Sequence, residues 1–270
     1  MSRSAYEVFK KRIKEYLLKV IREAKVNTNH LNPCIAYENA VMTFVDAMMA
    51  DARFLKDFEP FQKMISYCGM FNSLSQTLLK IASPGIPDFY QGTETWDFSL
   101  VDPDNRRPVD YAAAMSMLSQ LKQSELEIGP RALAREVSVD RADGRVKLYL
   151  TYKALNWRRE NKLLFITGAY IPLMSMGDHK DHICAFARSS EHGTVLVIVP
   201  RFISGLVQTI DRTTPWEIIW DKTSIIITDE IAADNYRNIF TDEKISVIRQ
   251  SVERLLALGT VFSSFPVAIR

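Results

Sequence analysis

The run Ser83-Pro84-Gly85-Ile86-Pro87-Asp88-Phe89-Tyr90-Gln91-Gly92-Thr93-Glu94 continues through Trp96-Asp97-Phe98 into Val101-Asp102-Pro103-Asp104-Asn105-Arg106-Arg107-Pro108-Val109-Asp110. A Pro-Gly turn launches a short strand, Ile86 to Gln91, and Gly92 ends it. The long loop that follows gathers carboxylates, two adjacent arginines, an amide and aromatic rings. Those side chains supply planar donors and acceptors for hydroxyl groups and flat apolar faces for pyranose rings, the chemistry of a sugar-binding rim.

On the N-terminal side of this run the pattern is helical. Val8, Phe9, Ile13, Leu17, Leu18 and Ile21 recur at helical spacing from about Ala5 to Ala24, with lysines and arginines between them, as in a surface helix with one buried stripe. Asn27 to Pro33 breaks it, because asparagine favours turns and Pro33 disfavours helix in the residue before it. A second helix is predicted over Ile35 to Ala50 and a third over Asp57 to Ile81, bent near Gly69. On the C-terminal side, Tyr111 to Leu121 and Arg145 to Glu160 read as helices.

Near Thr167-Gly168 the character changes to short β-rich runs: His182 to Ala187, Thr194 to Val199, Ile225 to Ile227, Ser246 to Ile248 and Val261 to Ile269. Glu230 to Asn235 and Gln250 to Leu258 have the alternative of forming short helices. The expected class is α+β. Residues 1–166 form a mostly helical part carrying one strand, and residues 167–270 form an antiparallel β-sandwich.

The chain has 270 residues, 47% hydrophobic and 24% charged, with a formal net charge of +2, an ordinary globular composition. The near balance of charge gives no reason to invoke nucleic acid or an acidic membrane. Cys34, Cys68 and Cys184 are far apart and odd in number, which reads as reduced, buried thiols in a cytoplasmic protein. No apolar run reaches the roughly 18 residues of a membrane span. There is no Gly-rich phosphate loop, so no nucleotide cofactor is implied. His179 and His182, beside Asp178 and Asp181, read as a polar turn rather than a metal site, and no cofactor or metal is expected.

The run PGIPDFYQGTE resembles the last barrel strand of the α-amylase superfamily, glycoside hydrolase family 13. Its continuation WDFSLVDPDNRRPVDY narrows the resemblance to the maltooligosyltrehalose synthases, (1→4)-α-D-glucan 1-α-D-glucosylmutases. Tyr16 to Pro33, the following AYENAVMTFV and Lys147 to Phe165 are similar to the same family. The resemblance implies that Ile86 to Gln91 is the last strand of an incomplete (β/α)8 barrel. A complete barrel needs about 200 residues or more, and the first part offers only about 165. The helices before the strand then correspond to an insertion, and the β module to the domain that follows the barrel.

The family's catalytic aspartate and glutamate, and a second essential aspartate, belong to barrel strands outside the matched region, so no catalytic residue is assigned. The resemblance implies a maltooligosaccharide substrate for the intact enzyme and an N-terminal barrel portion as partner. The alternatives are a non-catalytic glucan-binding or assembly module, or part of an α-amylase-type hydrolase.

Seven residues are candidates for substrate contact: Tyr90, Gln91, Glu94, Asp104, Asn105, Arg106 and Arg107. Each has a plainer reading. Tyr90 either meets a glucose or fills a barrel top. Glu94 either bonds a hydroxyl or pairs with Arg106 or Arg107. The Asp104 to Arg107 cluster is either a binding rim or a salt-bridged loop. Trp96 and Phe98 fit core packing better than a sugar platform, as do Trp216 and Trp220. Lys10, Lys11, Arg12 and Lys14 read as a solvated face.

Overall fold

The computed structural model describes residues 2–209 and 216–269. The chain divides into two compact units, one comprising Met1–Ser66 with Asp97–Val109 and the other Tyr67–Trp96 with Asp110–Arg270.

The first unit contains α1 (Arg3–Ala24), α2 (Ile35–Ala50) and the beginning of α3 (Ala52–Ala82). Ser2 caps α1 by accepting the Ala5 N–H at 3.2 Å, which satisfies one of the free donors at a helix start. The expected buried stripe of α1 is not formed, since none of its residues is buried. Polar pairs tie it to α2 instead. The Tyr6 hydroxyl donates to the Met49 carbonyl at 2.7 Å, Lys14 meets Asp46 at 2.7 Å, and Arg22 grips Glu38 through two bonds of 2.8 and 2.7 Å.

Between the two helices, Asn29 Oδ1 accepts the N–H groups of Leu31 and Asn32, the local bond that makes asparagine a turn former. Cys34 is exposed, unlike buried Cys68 and half-buried Cys184. It stands at the solvated entrance of α2, so the expectation of three buried thiols fails there. The third helix runs unbroken through Gly69 and contains Pro60.

In the second unit, the end of α3 buries Phe71, Leu74, Leu78 and Ile81. It joins α4 (Tyr111–Ile128), α5 (Pro130–Val139), α6 (Arg145–Glu160) and α7 (Lys162–Thr167). Asp110 caps α4 by accepting the Ala113 N–H at 2.9 Å. Gly129 at φ 80° ends that helix and Pro130 opens the next, the usual asymmetry of glycine after and proline just inside a helix.

The strands are β1 (Ala169–Pro172), β2 (Ser175–Gly177), β3 (Ile183–Ser190), β4 (Gly193–Pro200), β5 (Thr223–Ile226), β6 (Asn235–Arg237), β7 (Lys244–Ser246), β8 (Ile248–Gln250), β9 (Glu253–Ala257) and β10 (Ala268–Ile269). They form two antiparallel four-stranded sheets, ordered β1-β3-β4-β10 and β2-β5-β9-β8, and the separate hairpin β6-β7.

Alternation along β3 and β4 explains why the first sheet is covered on both faces. Phe186, Val195, Val197 and Val199 pack with Leu78, Leu148 and Leu150 of the helices. Ala185, Ala187, Leu196 and Ile198 pack with Ile225 and Leu256 of the second sheet. Successive side chains point to opposite faces, so an almost wholly apolar run is what a sheet buried on both sides requires.

Four local expectations are corrected. Ile86 to Gln91 forms no strand, because a strand exists through its ladder and these residues pair with no strand among the described residues. Gln250 to Leu258 is not a helix: it supplies the end of β8, a turn with Ser251 at φ 56°, and β9. Glu230 to Asn235 is likewise no helix but irregular chain that leads into β6. Val261 to Ile269 contributes the end of a helical turn and only the two residues of β10.

Candidate functional site

Two carbonyl-binding arginines of the second unit position the run from Ser83. Arg188 on β3 is 2% exposed. Its guanidinium donates to the carbonyls of Phe165 at 2.9 Å, Gly168 at 2.7 Å and Ala82 at 3.4 Å, so one buried cation serves the C-terminal ends of α3 and α7, where carbonyls lack helical partners. Burial lowers its pKa from the usual arginine value. Arg158 on α6 donates to the carbonyls of Ile81 and Gly85. Together they fix the path of the chain out of α3, and Gly85 turns it at φ 109°.

Beyond this anchor, Lys80 Nζ lies 3.7 Å from the centre of the Phe89 ring. Tyr90 follows with its ring half exposed. Its carbonyl accepts from the Thr93 N–H at 3.2 Å and the Thr93 hydroxyl at 2.6 Å. Gly92, at φ 84°, makes this tight turn. The Tyr111 hydroxyl donates to Gln91 Oε1 at 3.1 Å, which orients the amide and leaves its NH2 group as a donor. Glu94 is half-buried. Trp96 Nε1 donates to the Arg141 carbonyl at 2.6 Å, and the ring packs on the helical core. Gly144 approaches so closely that an added Cβ would lie 3.2 Å from Thr95 Cβ and the Trp96 N. Trp96 is therefore a packing residue, as its sequence context suggested.

In the first unit, the loop from Asp97 to Val109 is built around Asp104. Arg12 donates to both of its carboxylate oxygens at 2.8 Å, through Nε and Nη2, the Leu100 N–H donates to it at 2.7 Å, and the same Nη2 also donates to the Phe98 carbonyl at 2.9 Å. The Arg12 guanidinium, with the Leu100 N–H, holds the Asp104 carboxyl at about 2, below its usual value. Asp104 is thereby occupied as the loop's organiser. Arg107 donates to the Asp104 carbonyl and the Ser99 hydroxyl, both at 2.9 Å, and Arg106 pairs with Asp102. Asn105 Oδ1 is buried and accepts no hydrogen bond. Phe98, 75% exposed, does not pack in the core.

The seven candidates thus fall into two groups. Tyr90, Gln91 and Glu94 lie in one five-residue stretch of the second unit, and Asp104, Asn105, Arg106 and Arg107 form one loop of the first. The residue that sequence reading missed is Arg12. It lies in a run of cations, yet only Lys11 of that run is strongly exposed: Lys10 and Lys14 meet Asp46, and Arg12 meets Asp104. Lys10 and Lys14 share one helical face and Arg12 lies on nearly the opposite one, a separation that follows from the spacing, whereas the distant partner of Arg12 does not.

In the β module, His179 and His182 have ring centres 6.1 Å apart, and His182 Nδ1 is 3.2 Å from the Phe202 carbonyl. Among the described residues no group of three metal-ligating side chains assembles. Trp220 is fully buried against Phe262. Trp216 begins a helical turn, and its side chain lies outside the described residues. No helix among the described residues is long and apolar enough to cross a membrane.

Comparison with known proteins adds the following. No family model matches the chain. It is 33% identical over 218 residues to putative maltooligosyl trehalose synthases of two Mycobacterium tuberculosis strains, an alignment covering 81% of this chain and 24% of theirs. The chain therefore spans about a quarter of the length of the curated relatives it matches. Among solved structures it is similar to the maltooligosyltrehalose synthase of Arthrobacter ramosus, with a TM-score of 0.77 and 29% identity over 96% of this chain and 30% of that one. A further maltooligosyl trehalose synthase structure matches with 35% identity and a TM-score of 0.65, covering 92% of this chain and 30% of that one. A hypothetical maltooligosyl trehalose synthase of Sulfolobus tokodaii matches with 28% identity and a TM-score of 0.61, covering 97% of this chain and 29% of that one.

Proposed function

Because the chain belongs to the maltooligosyltrehalose synthase family and corresponds to a C-terminal part of its much longer relatives, we propose that it is the non-catalytic portion of such a synthase. The observation that carries this reading is the agreement of sequence and fold over most of the chain. The reaction is an intramolecular transglucosylation. The reducing-end α-1,4 linkage of a maltodextrin becomes an α,α-1,1 linkage, as in trehalose biosynthesis, and the catalytic carboxylates of this retaining chemistry come from the barrel. On this reading the enzyme is a cytoplasmic isomerase of glycoside hydrolase family 13, and the change of character at residues 166 and 167 divides its barrel-associated part from its C-terminal domain.

The extended run Ile86 to Gln91 is the barrel's last strand in this proposal, completed when the remainder of the barrel supplies a neighbour. Ile86 is 97% exposed, and with Pro87, Leu155, Phe165 and Ile166 it lines an apolar groove of about 640 Å3. An uncovered apolar groove beside an unpaired backbone favours burial by more protein.

The Tyr90 to Arg107 stretch then contributes to the rim that grips the reducing-end sugars. Tyr90 offers a ring face, Gln91 an amide donor, Glu94 an acceptor and Arg106 an exposed fork of donors. After cleavage the released glucose must turn while water is kept away from the glycosyl intermediate. In a full-length synthase carrying this segment, Arg106→Ala and Arg107→Ala should each raise glucose release relative to maltooligosyltrehalose formation. An unchanged product ratio in both variants would remove the rim role.

A further inference from the structure

The second unit has a cleft of about 770 Å3 between α6 and the β6-β7 hairpin. We propose that it is an oligosaccharide-binding cleft for a neutral α-glucan, built from residues other than those of the Tyr90 to Arg107 rim. The choice of glucan rests on the synthase reading above, whereas the neutral, polyhydroxylated class rests on the cleft itself.

The cleft is polar, but its charges cancel. Lys153 and Arg237 line it together with Glu160 and Asp242. Both cations are already engaged, Lys153 with Glu125 at 2.5 Å and Arg237 with Asp242 at 2.6 Å. A phosphate or carboxylate ligand would have to displace these carboxylates and would also face Glu160, whereas a cationic ligand would compete with Arg237 for Asp242 and would face Lys153. An uncharged ligand meets neither cost.

The remaining lining suits hydroxyl groups and sugar rings. Tyr152 and Asn156 lie one turn apart on α6, and Trp157 adjoins Asn156 in the lining. On β6, Asn235 and Arg237 point away from buried Tyr236, as strand alternation requires. The Asn156 amide donates to the Tyr152 carbonyl at 2.7 Å, which leaves its oxygen as an acceptor. Asn235 Oδ1 accepts from the Ser246 hydroxyl at 2.7 Å, which leaves its NH2 group as a donor. One wall thus presents an oriented acceptor beside the aromatic surface of Tyr152 and Trp157, and the other an oriented donor. The volume lies within the roughly 300–1,000 Å3 of small-molecule sites.

The test is calorimetric titration of the purified chain with maltoheptaose, with cellohexaose as a control of different linkage. Asn156→Ala and Asn235→Ala should each weaken maltoheptaose binding about tenfold, the loss of one or two oriented hydrogen bonds. Asn235→Asp, which keeps the shape and replaces the donor by an anion, should weaken it at least as much. All variants are compared at equal melting temperature.

Absence of maltoheptaose binding by the wild-type chain, or binding indifferent to both asparagines, overturns the proposal. Binding lost only in Tyr90→Ala places the glucan at the rim and also overturns it, while leaving the synthase reading intact. Conversely, cleft variants that weaken binding, with no effect of Arg106→Ala or Arg107→Ala on the product ratio, would sustain the cleft and remove the rim role.

Discussion

Asp104→Ala should open the loop that carries three of the rim candidates. The wild-type carboxylate is 7% exposed and takes two hydrogen bonds from Arg12 at 2.8 Å and one from the Leu100 N–H at 2.7 Å. An exposed ion pair contributes about 0.2–1 kcal/mol, and hydrogen bonds to charged groups about 1.5–3 kcal/mol. A mostly covered bidentate pair at the protein surface falls between these ranges, so its removal should cost about 2 kcal/mol, partly offset by rehydration of Arg12. That corresponds to about a thirtyfold rise in the open population of the loop.

Trypsin reads this directly, because the Arg106-Arg107 bond lies in the loop, and Pro108 protects the bond after Arg107. With cleavage slower than reclosing, its rate follows the open population and should rise about thirtyfold. Arg12→Ala should behave alike, and the double variant should be little worse than either single one. Cleavage at the wild-type rate in Asp104→Ala, or strictly additive effects in the double variant, would refute the argument. The pH dependence has a defined sign. The folded-state pKa is depressed to about 2 from 3.8, so the stabilisation is full above 3.8 and disappears as pH falls through about 2. Hydrogen exchange in the loop should therefore converge for wild type and Asp104→Asn as the solution is acidified across that window.

Two further perturbations report on the scaffold. At Gly177, φ is 100° and an added Cβ would lie 1.8 Å from the Lys222 carbonyl oxygen; Gly177→Ala should cost roughly 3 kcal/mol or more, seen as a fall of about 6–12 °C in melting temperature. Glu38 is held at about 2, below its usual 4.5, first by Arg22 and then by the Thr28 hydroxyl. Its contribution is full above 4.5 and lost as pH falls through about 2, so acid should raise hydrogen exchange at the α1-α2 junction in wild type more than in Glu38→Gln.

How much of this was legible in the sequence depended on whether the deciding interactions were local. The limits of α6, Arg145–Glu160, follow from apolar periodicity next to Gly144, and β4 follows from an apolar run rich in β-branched residues. Helix α5 was missed because Leu133 and Val137 are its only large buried residues, too few to mark a period. The β8-β9 hairpin was open to a helical reading because its turn uses Ser251 at positive φ rather than glycine. Ile86 to Gln91 has the local features of a strand, yet strand formation depends on a partner that local features do not supply.

The candidate site divides in the same way. The polar, aromatic composition of the run from Tyr90 to Arg107 was readable. The commitment of Asp104 to Arg12, 92 positions apart in the chain, was not, because nothing local distinguishes an arginine that crosses to a distant loop from one in solvent. Arg188 is similar. Its position in an apolar, alternating strand offered no sign that it would bind the carbonyl ends of two helices.

If this chain is the non-catalytic part of a maltooligosyltrehalose synthase, it should fold on its own yet leave the reducing ends of a maltodextrin untouched. A reducing-end assay on the purified chain with maltopentaose, paired with a thermal melt, tests it most directly. The account predicts a cooperative melt and no change in reducing ends. Loss of reducing ends without glucose release would contradict it by placing the synthase chemistry within these residues, and a gain of reducing ends would contradict it in favour of a hydrolase.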